Sequence, residues 1–202
     1  MRPRQVHGVR VLVARARAGT AVEEGDAVVS DVPGLPIAVV TADCVPVLVA
    51  EAGGARVAAI HAGWRGLAAG VVSEALAALV RSGGAPARLH AVIGPHILPC
   101  CYEVDAPVID ALRARFGAEA GAALRPARPG HALLDLGALV RVECLRAGLA
   151  PGAVAALAGA CTRCDETRFH SYRRDGARAG RLLHFIAARA PYDTLDKPDP
   201  PL

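Results

Sequence analysis

Through the first sixty residues the apolar positions fall in short runs broken by Gly, Asp and Pro, the pattern of β-strands closed by turns. Strands are predicted at residues 9–14, 27–30, 37–41, 45–50 and 56–60, and Ala52-Gly53-Gly54 supplies a turn that joins the last two into a hairpin. The runs flanking Cys44 are nearly continuous rather than alternating, so these strands are predicted to be covered on both faces, with helices outside the sheet. From Gly66 the period becomes helical: Leu67, Val71, Ala75, Leu76, Leu79 and Val80 share one stripe, and Gly83-Gly84 ends the element.

Residues 89–93 return to strand and stop at Gly94-Pro95. Asp105 is a predicted N-cap for a helix carrying Val108, Ile109, Leu112 and Phe116, with Gly117 beyond its end. A second capped helix starts near Asp135, and residues 181–187 form a closing strand. Interleaved strands and helices with hairpins among them predict an α+β fold of layered mixed sheets flanked by helices rather than a doubly wound parallel sheet. No repeat or low-complexity linker divides the chain, so residues 1–190 are expected to be one domain, and 191–202, with Pro191, Pro198, Pro200 and Pro201, a frayed tail.

Composition narrows the function more than the fold. At 202 residues and 53% apolar, the chain can bury a core without staples, and with aromatics at 3% that core is built from small and branched side chains. The net charge of +4 comes from scattered arginines, Lys197 being the only lysine, which disfavours nucleic acid and favours phosphate, whose oxygens match a guanidinium fork. Residues 147–162 form the longest charge-free stretch, 16 residues containing Pro151 and three glycines, short of the roughly 20 a spanning helix needs. No signal-peptide run follows the basic start, so a cytoplasmic chain off the membrane is expected, and six cysteines there are read as thiols or metal ligands. The common dinucleotide and P-loop motifs are absent.

Reactive side chains cluster in four places: Gln5-Val6-His7-Gly8, Thr41-Ala42-Asp43-Cys44, His61 to Gly66, and Ser171 to Gly176. Cys44 and His61 lie 17 residues apart across the predicted hairpin, a separation that brings the start of one strand beside the end of its antiparallel partner. A thiolate and an imidazole suit zinc, and His7 would complete three protein ligands with a fourth position open, the catalytic pattern. Each also has a plainer reading: Cys44 as a small core hydrophobe, His61 as a satisfied histidine, His7 as part of a frayed end. Arg65, Arg173 and Arg174 are candidate phosphate or ribose contacts or surface ion pairs, Trp64 a purine platform or core, and Asp43 an acid/base or an orienting group. Cys161-x-x-Cys164 lacks a second such pair, and Cys100-Cys101 has the wrong spacing for one, so these four are read as structural or incidental thiols.

The motifs QVHG (5–8), TADCVPVLV (41–49), HAGWRGLAAGVV (61–72), IGPHILPCCYEV (93–104) and CTRCDETRFHSYRRDG (161–176) occur in this order, and together they resemble the laccase-domain family, also called multicopper polyphenol oxidoreductases and now described as purine nucleoside phosphorylases. The likeness spans residues 5 to about 188. It implies an α/β/β/α-like sandwich related to cysteine hydrolases, and a zinc site on His7, Cys44 and His61, with copper as the other candidate ion. It also implies phosphorolysis of adenosine, inosine, guanosine and S-methyl-5'-thioadenosine with an adenosine deaminase side activity, by a monomer or small homo-oligomer. Catalytic roles then fall to Cys44, His61 and Asp43, and substrate contacts to Arg65, Arg173, Arg174 and Trp64. Family members carry some tens of residues before QVHG, so His7 is expected on an untethered end; Asp105 stands where the family has glycine. Two other readings remain: a metal-free hydrolase or deamidase with Cys44 as nucleophile and His61 as base, and a copper phenol oxidase, for which Met1 is the only available axial methionine.

Overall fold

A computed structural model describes residues 1–15 and 22–189, so the expected tail at 191–202 lies outside the described residues. The strands in chain order are β1 (Val11–Val13), β2 (Ala27–Ser30), β3 (Pro36–Thr41), β4 (Val45–Glu51), β5 (Val57–Ala62), β6 (Leu89–Ile93), β7 (Glu103–Asp105), β8 (Leu124–Pro126), β9 (His131–Leu134), β10 (Val154–Ala156) and β11 (Leu182–Ala187). The helices are α1 (Trp64–Ala69), α2 (Val71–Arg81), α3 (Ala106–Phe116), α4 (Ala118–Ala123), α5 (Leu136–Arg146) and α6 (Tyr172–Asp175).

Six strands make a mixed sheet in the order β1-β2-β5-β4-β6-β10, parallel at both ends and antiparallel in the middle. A two-stranded sheet of β3 and β11 lies over one face, and a three-stranded antiparallel sheet, β7-β9-β8, stands apart. The main core, with Val47, Ile60, Leu76, Leu79, Leu112 and Leu139, fills the space between the large sheet and helices α2, α3 and α5. A smaller core of Leu12, Val28, Ile37, Val39, Val57 and Ala59 lies between the large sheet and β3 with β11.

The α+β class with several sheets and flanking helices holds. Every residue of β5 is buried, as its unbroken apolar run requires, because helices cover one face and a second sheet the other. On the outer face of β11, Leu183 and Phe185 remain 60% and 63% exposed, so among the described residues no helix covers that side there.

The helix expected from Gly66 is two helices. Gly70 adopts φ 97°, in the left-handed region that glycine enters without steric cost, which ends α1 and restarts the chain as α2. Asp135 caps α5 by accepting from the Ala138 N–H at 2.9 Å, but Asp105 makes no side-chain cap to α3. The short strands β7 to β10 and the short helices α4 and α6 carry too few residues to show a period. No described helix is long and apolar enough to cross a membrane.

Candidate metal centre and active site

The hairpin register performs the work expected of it. β4 and β5 pair with Val45 opposite Ala62 and Pro46 opposite His61, so Cys44, just before β4, stands beside His61 near the end of β5. The β2–β5 register places Ala27 opposite Ile60, which brings Asp26 to His61; the His61 N–H donates to the Asp26 carbonyl at 2.7 Å.

His7 is tied down, contrary to the expectation of a loose end. The Ala38 N–H donates to the Met1 carbonyl at 2.9 Å, and Gln5 both accepts from the Val40 N–H (2.8 Å) and donates to its carbonyl (2.7 Å). Asp26 then gathers three N–H groups: His7 onto Oδ1 at 2.9 Å, Gly8 and Val6 onto Oδ2 at 2.7 and 3.2 Å. His7 sits at φ 60°, a left-handed conformation costly for a side-chain-bearing residue, which persists because these contacts over-determine it.

The ligand atoms of His7, Cys44 and His61 all lie within 4.8 Å of one another, and Cys44 Sγ is 3.7 Å from His7 Nε2. A tetrahedral ion bound at about 2.3 Å to sulfur and about 2.0 Å to nitrogen needs an S to N separation of about 3.5 Å, so these donors fit such a group. Gly63 is required here: a Cβ on it would meet His7 Cδ2 at 2.6 Å and Cys44 Sγ at 3.1 Å.

Electrostatics reinforce the cluster. Burial pushes the Cys44 thiol up, but His61 and His7 beside it outweigh burial and hold it at about 7. Burial pulls His61 down, while Asp26 and Cys44 hold its imidazolium up to about 9. For Asp26, burial is outweighed by His61 and the Gly8 and Val6 N–H groups, so its carboxyl lies below the usual range.

The three side chains open onto a cavity of about 630 Å³. Trp64, Arg65, Tyr102, Tyr172, Arg173 and Arg181 line it, together with Asp43 and the 2–5 segment. Arg65 stacks on Trp64 at 4.4 Å and Arg173 on Tyr102 at 5.3 Å, so cation and aromatic surfaces come in pairs. Asp43 is buried at φ 96°, with the Thr162 hydroxyl donating to Oδ1 (2.6 Å) and the Arg173 N–H to Oδ2 (2.7 Å).

Arg174 does not line the cavity. Its guanidinium donates to the carbonyls of Thr162 (3.0 Å), Arg163 (3.2 Å) and Phe169 (2.9 Å) and forks onto Asp175. Met1 is also elsewhere, packed against the smaller core. The sequence reading gives no role to Asp26, Gln5, Tyr102, Tyr172 or Arg181; Gln5, Tyr102 and Tyr172 sit inside the quoted motifs, whereas nothing in Gly25-Asp26-Ala27 marks its carboxylate.

A family model described as multi-copper polyphenol oxidoreductase laccase matches residues 1–189. The chain is 42% identical over 187 residues to the purine nucleoside phosphorylase of Xylella fastidiosa (strain 9a5c), covering 89% of this chain and 68% of that protein. It is 37% identical over 190 residues to adenosine deaminase RL5 from an unknown prokaryotic organism, covering 90% and 72%. The crystal structure of Bacillus licheniformis hypothetical protein YfiH superposes with a TM-score of 0.86 at 33% identity, covering 93% of this chain and 73% of that one.

Proposed function

This chain belongs to the multi-copper polyphenol oxidoreductase laccase family, and from that premise we propose that it is a metal-dependent purine nucleoside phosphorylase with adenosine deaminase side activity. Its substrates are adenosine, inosine, guanosine and S-methyl-5'-thioadenosine, cleaved by phosphate to the base and the (methylthio)ribose 1-phosphate. The observation that carries the reading is a single cavity in which a His7, Cys44 and His61 donor set faces paired arginine and aromatic surfaces. The names of the relatives at 42% and 37% identity support the same substrate class.

His7, Cys44 and His61 hold the ion, zinc by preference for an N/S set and copper as the alternative. When bound, a divalent ion supplies Lewis acidity and an acidified water, the chemistry deamination at purine C6 requires. Arg65 and Arg173 hold phosphate against the anomeric carbon with fork-shaped donors. Trp64 and Tyr102 offer the purine a face. Both oxygens of Asp43 already accept hydrogen bonds, so of its two expected roles the orienting one fits: it fixes the Arg173 backbone beside Cys44. Arg174 braces the 162–169 segment against α6, the helix that carries Arg173. Residues 1–190 act as one cytoplasmic domain, as a monomer or small homo-oligomer.

Adenosine incubated with and without phosphate, followed by product separation, tests this. Adenine plus ribose 1-phosphate only with phosphate is the expected result; metal-loaded, folded protein that yields neither that pair nor inosine would sink it.

One observation favours a second reading. Asp26 Oδ1 is 2.8 Å from His61 Nδ1, and His61 stands beside a Cys44 thiol at about 7, the arrangement of a nucleophile, base and orienter. A metal-free hydrolase of this kind loses activity to a thiol alkylator and keeps it in chelator, whereas the phosphorylase reading loses metal-dependent activity to both.

A further inference from the structure

Away from the cavity centre, Cys100, Cys101, Cys161 and Cys164 converge, their sulfurs all within 4.8 Å of one another. Cys100 Sγ is 3.7 Å from both Cys161 Sγ and Cys164 Sγ, and Cys101 Sγ is 3.3 Å from Cys164 Sγ. Zinc bound to four sulfurs at about 2.3 Å places them about 3.8 Å apart along the edges of a tetrahedron. A disulfide needs about 2.05 Å, and all six cysteines are free thiols. The adjacent pair reaches one point because a tight turn follows Leu98, whose carbonyl accepts the N–H groups of Cys101 (2.9 Å) and Tyr102 (3.0 Å). Adjacent cysteines are therefore not excluded by their spacing.

The surroundings suit anionic sulfur. The Leu98 N–H donates to Cys161 Sγ at 3.5 Å. The Arg163 guanidinium donates to Cys101 Sγ at 3.5 Å, which offsets part of the negative charge a tetrathiolate carries.

We propose that Cys100, Cys101, Cys161 and Cys164 bind a structural zinc ion, distinct from the ion at His7, Cys44 and His61. Four thiols release four protons as four Zn–S bonds form, and with every position filled by protein the ion takes no part in chemistry. Its role is to clip the 98–101 turn to the 161–164 turn. That clip matters to the cavity: Tyr102 follows Cys101, and Thr162, the donor to Asp43, follows Cys161 and donates its N–H to the His96 carbonyl at 3.0 Å.

The test is metal content of the full chain purified in reductant without chelator, for wild type, for the double variant His7→Ala/Cys44→Ala and for Cys100→Ser/Cys164→Ser. The expectation is that His7→Ala/Cys44→Ala keeps about one zinc per chain, held by the four thiols, and that Cys100→Ser/Cys164→Ser keeps only the ion at His7, Cys44 and His61. Cobalt substituted into His7→Ala/Cys44→Ala should show a strong thiolate-to-metal charge-transfer band, and Cys164→His should keep a metal with that band weakened. Should Cys100→Ser/Cys164→Ser fail to fold, the cobalt spectrum of the His7→Ala/Cys44→Ala protein still decides. A folded His7→Ala/Cys44→Ala protein with neither zinc nor the cobalt band overturns the proposal, and so does a Cys101–Cys164 disulfide found by mass spectrometry in the reductant-purified chain.

Discussion

Asp26 Oδ1 stands 2.8 Å from His61 Nδ1, with both residues buried, and the same carboxylate accepts the N–H groups that fix His7. One acid thus orients two of the three ligands. With Nδ1 bonded to Asp26, the other ring nitrogen of His61 is the one left to bind an ion, and the carboxylate raises its basicity.

Replacing that carboxylate by an amide keeps the shape and removes the charge. Asp26→Asn is expected to weaken metal binding by about 10–100-fold. Competition against a chromophoric chelator measures it, with circular dichroism as the check on folding. Unchanged affinity would mean that the three ligands are positioned without Asp26.

Gly63 lies against His7, where a methyl group would stand 2.6 Å from the ring. Its φ of −75° suits any residue, so Gly63→Ala strains nothing locally and acts only by displacing His7 and crowding Cys44. The expected outcome is loss of the metal and a fall in phosphorolysis of about 100-fold, the cost of an ångström-scale misplacement. A fully active, metal-loaded Gly63→Ala protein would remove His7 from the ligand set.

In the metal-free chain His61 and His7 outweigh burial and hold the Cys44 thiol at about 7, below its ordinary 9.0. Its alkylation by iodoacetamide should therefore rise through a midpoint near pH 7, while Cys144, pushed up to about 12 by burial, stays inert. The sign for a variant follows: His61→Ala removes the stabilising partner and leaves the burial, so the midpoint moves up. Peptide mass spectrometry separates Cys44 from the other thiols. A midpoint that His61→Ala leaves in place contradicts the thiol–imidazole coupling.

Arg173 and Arg174 are neighbours in sequence and opposites in space. Arg173→Ala should raise the KM for phosphate about tenfold, the loss of one charge-assisted contact. Arg174→Ala, which frees three loop carbonyls and Asp175, should lower Tm first. Initial-rate kinetics and thermal melts on the two variants distinguish them, and the reverse pattern would exchange their roles.

That pair shows where the sequence is legible. Spacing across a hairpin pointed to Cys44 beside His61 because antiparallel register follows from the turn. It could not tell Arg173 from Arg174, since α6 is only 4 residues long and shows no face. Asp26 was invisible because it acts on residues 19 and 35 positions away, through backbone groups and a ring that no local pattern connects to it. The four converging thiols were hidden for the same reason: their meeting depends on the Leu98 turn and on a parallel bridge between His96 and Cys161. The long, strongly patterned strands and helices were read to within a residue or two, and Gly70 split a helix because its stripe continues across the break.

The last prediction concerns stability apart from chemistry. Glu143 on α5 is fully buried and accepts from Arg115 of α3 at 3.1 and 3.2 Å and from the Ser73 hydroxyl of α2, so one carboxylate joins three helices. Arg115→Met leaves that charge with a single neutral donor and should cost about 2–4 kcal/mol, somewhat less than a fully buried pair because Arg115 is 36% exposed. Adding Glu143→Leu removes the stranded charge, and the double variant should regain most of the loss, since an apolar pair of similar volume is often as stable as the ion pair it replaces. Urea denaturation of the two single variants and the double variant closes the cycle, and an unchanged m-value confirms that folding cooperativity is intact. If Arg115→Met alone is neutral, Ser73 rather than Arg115 is the working partner of Glu143.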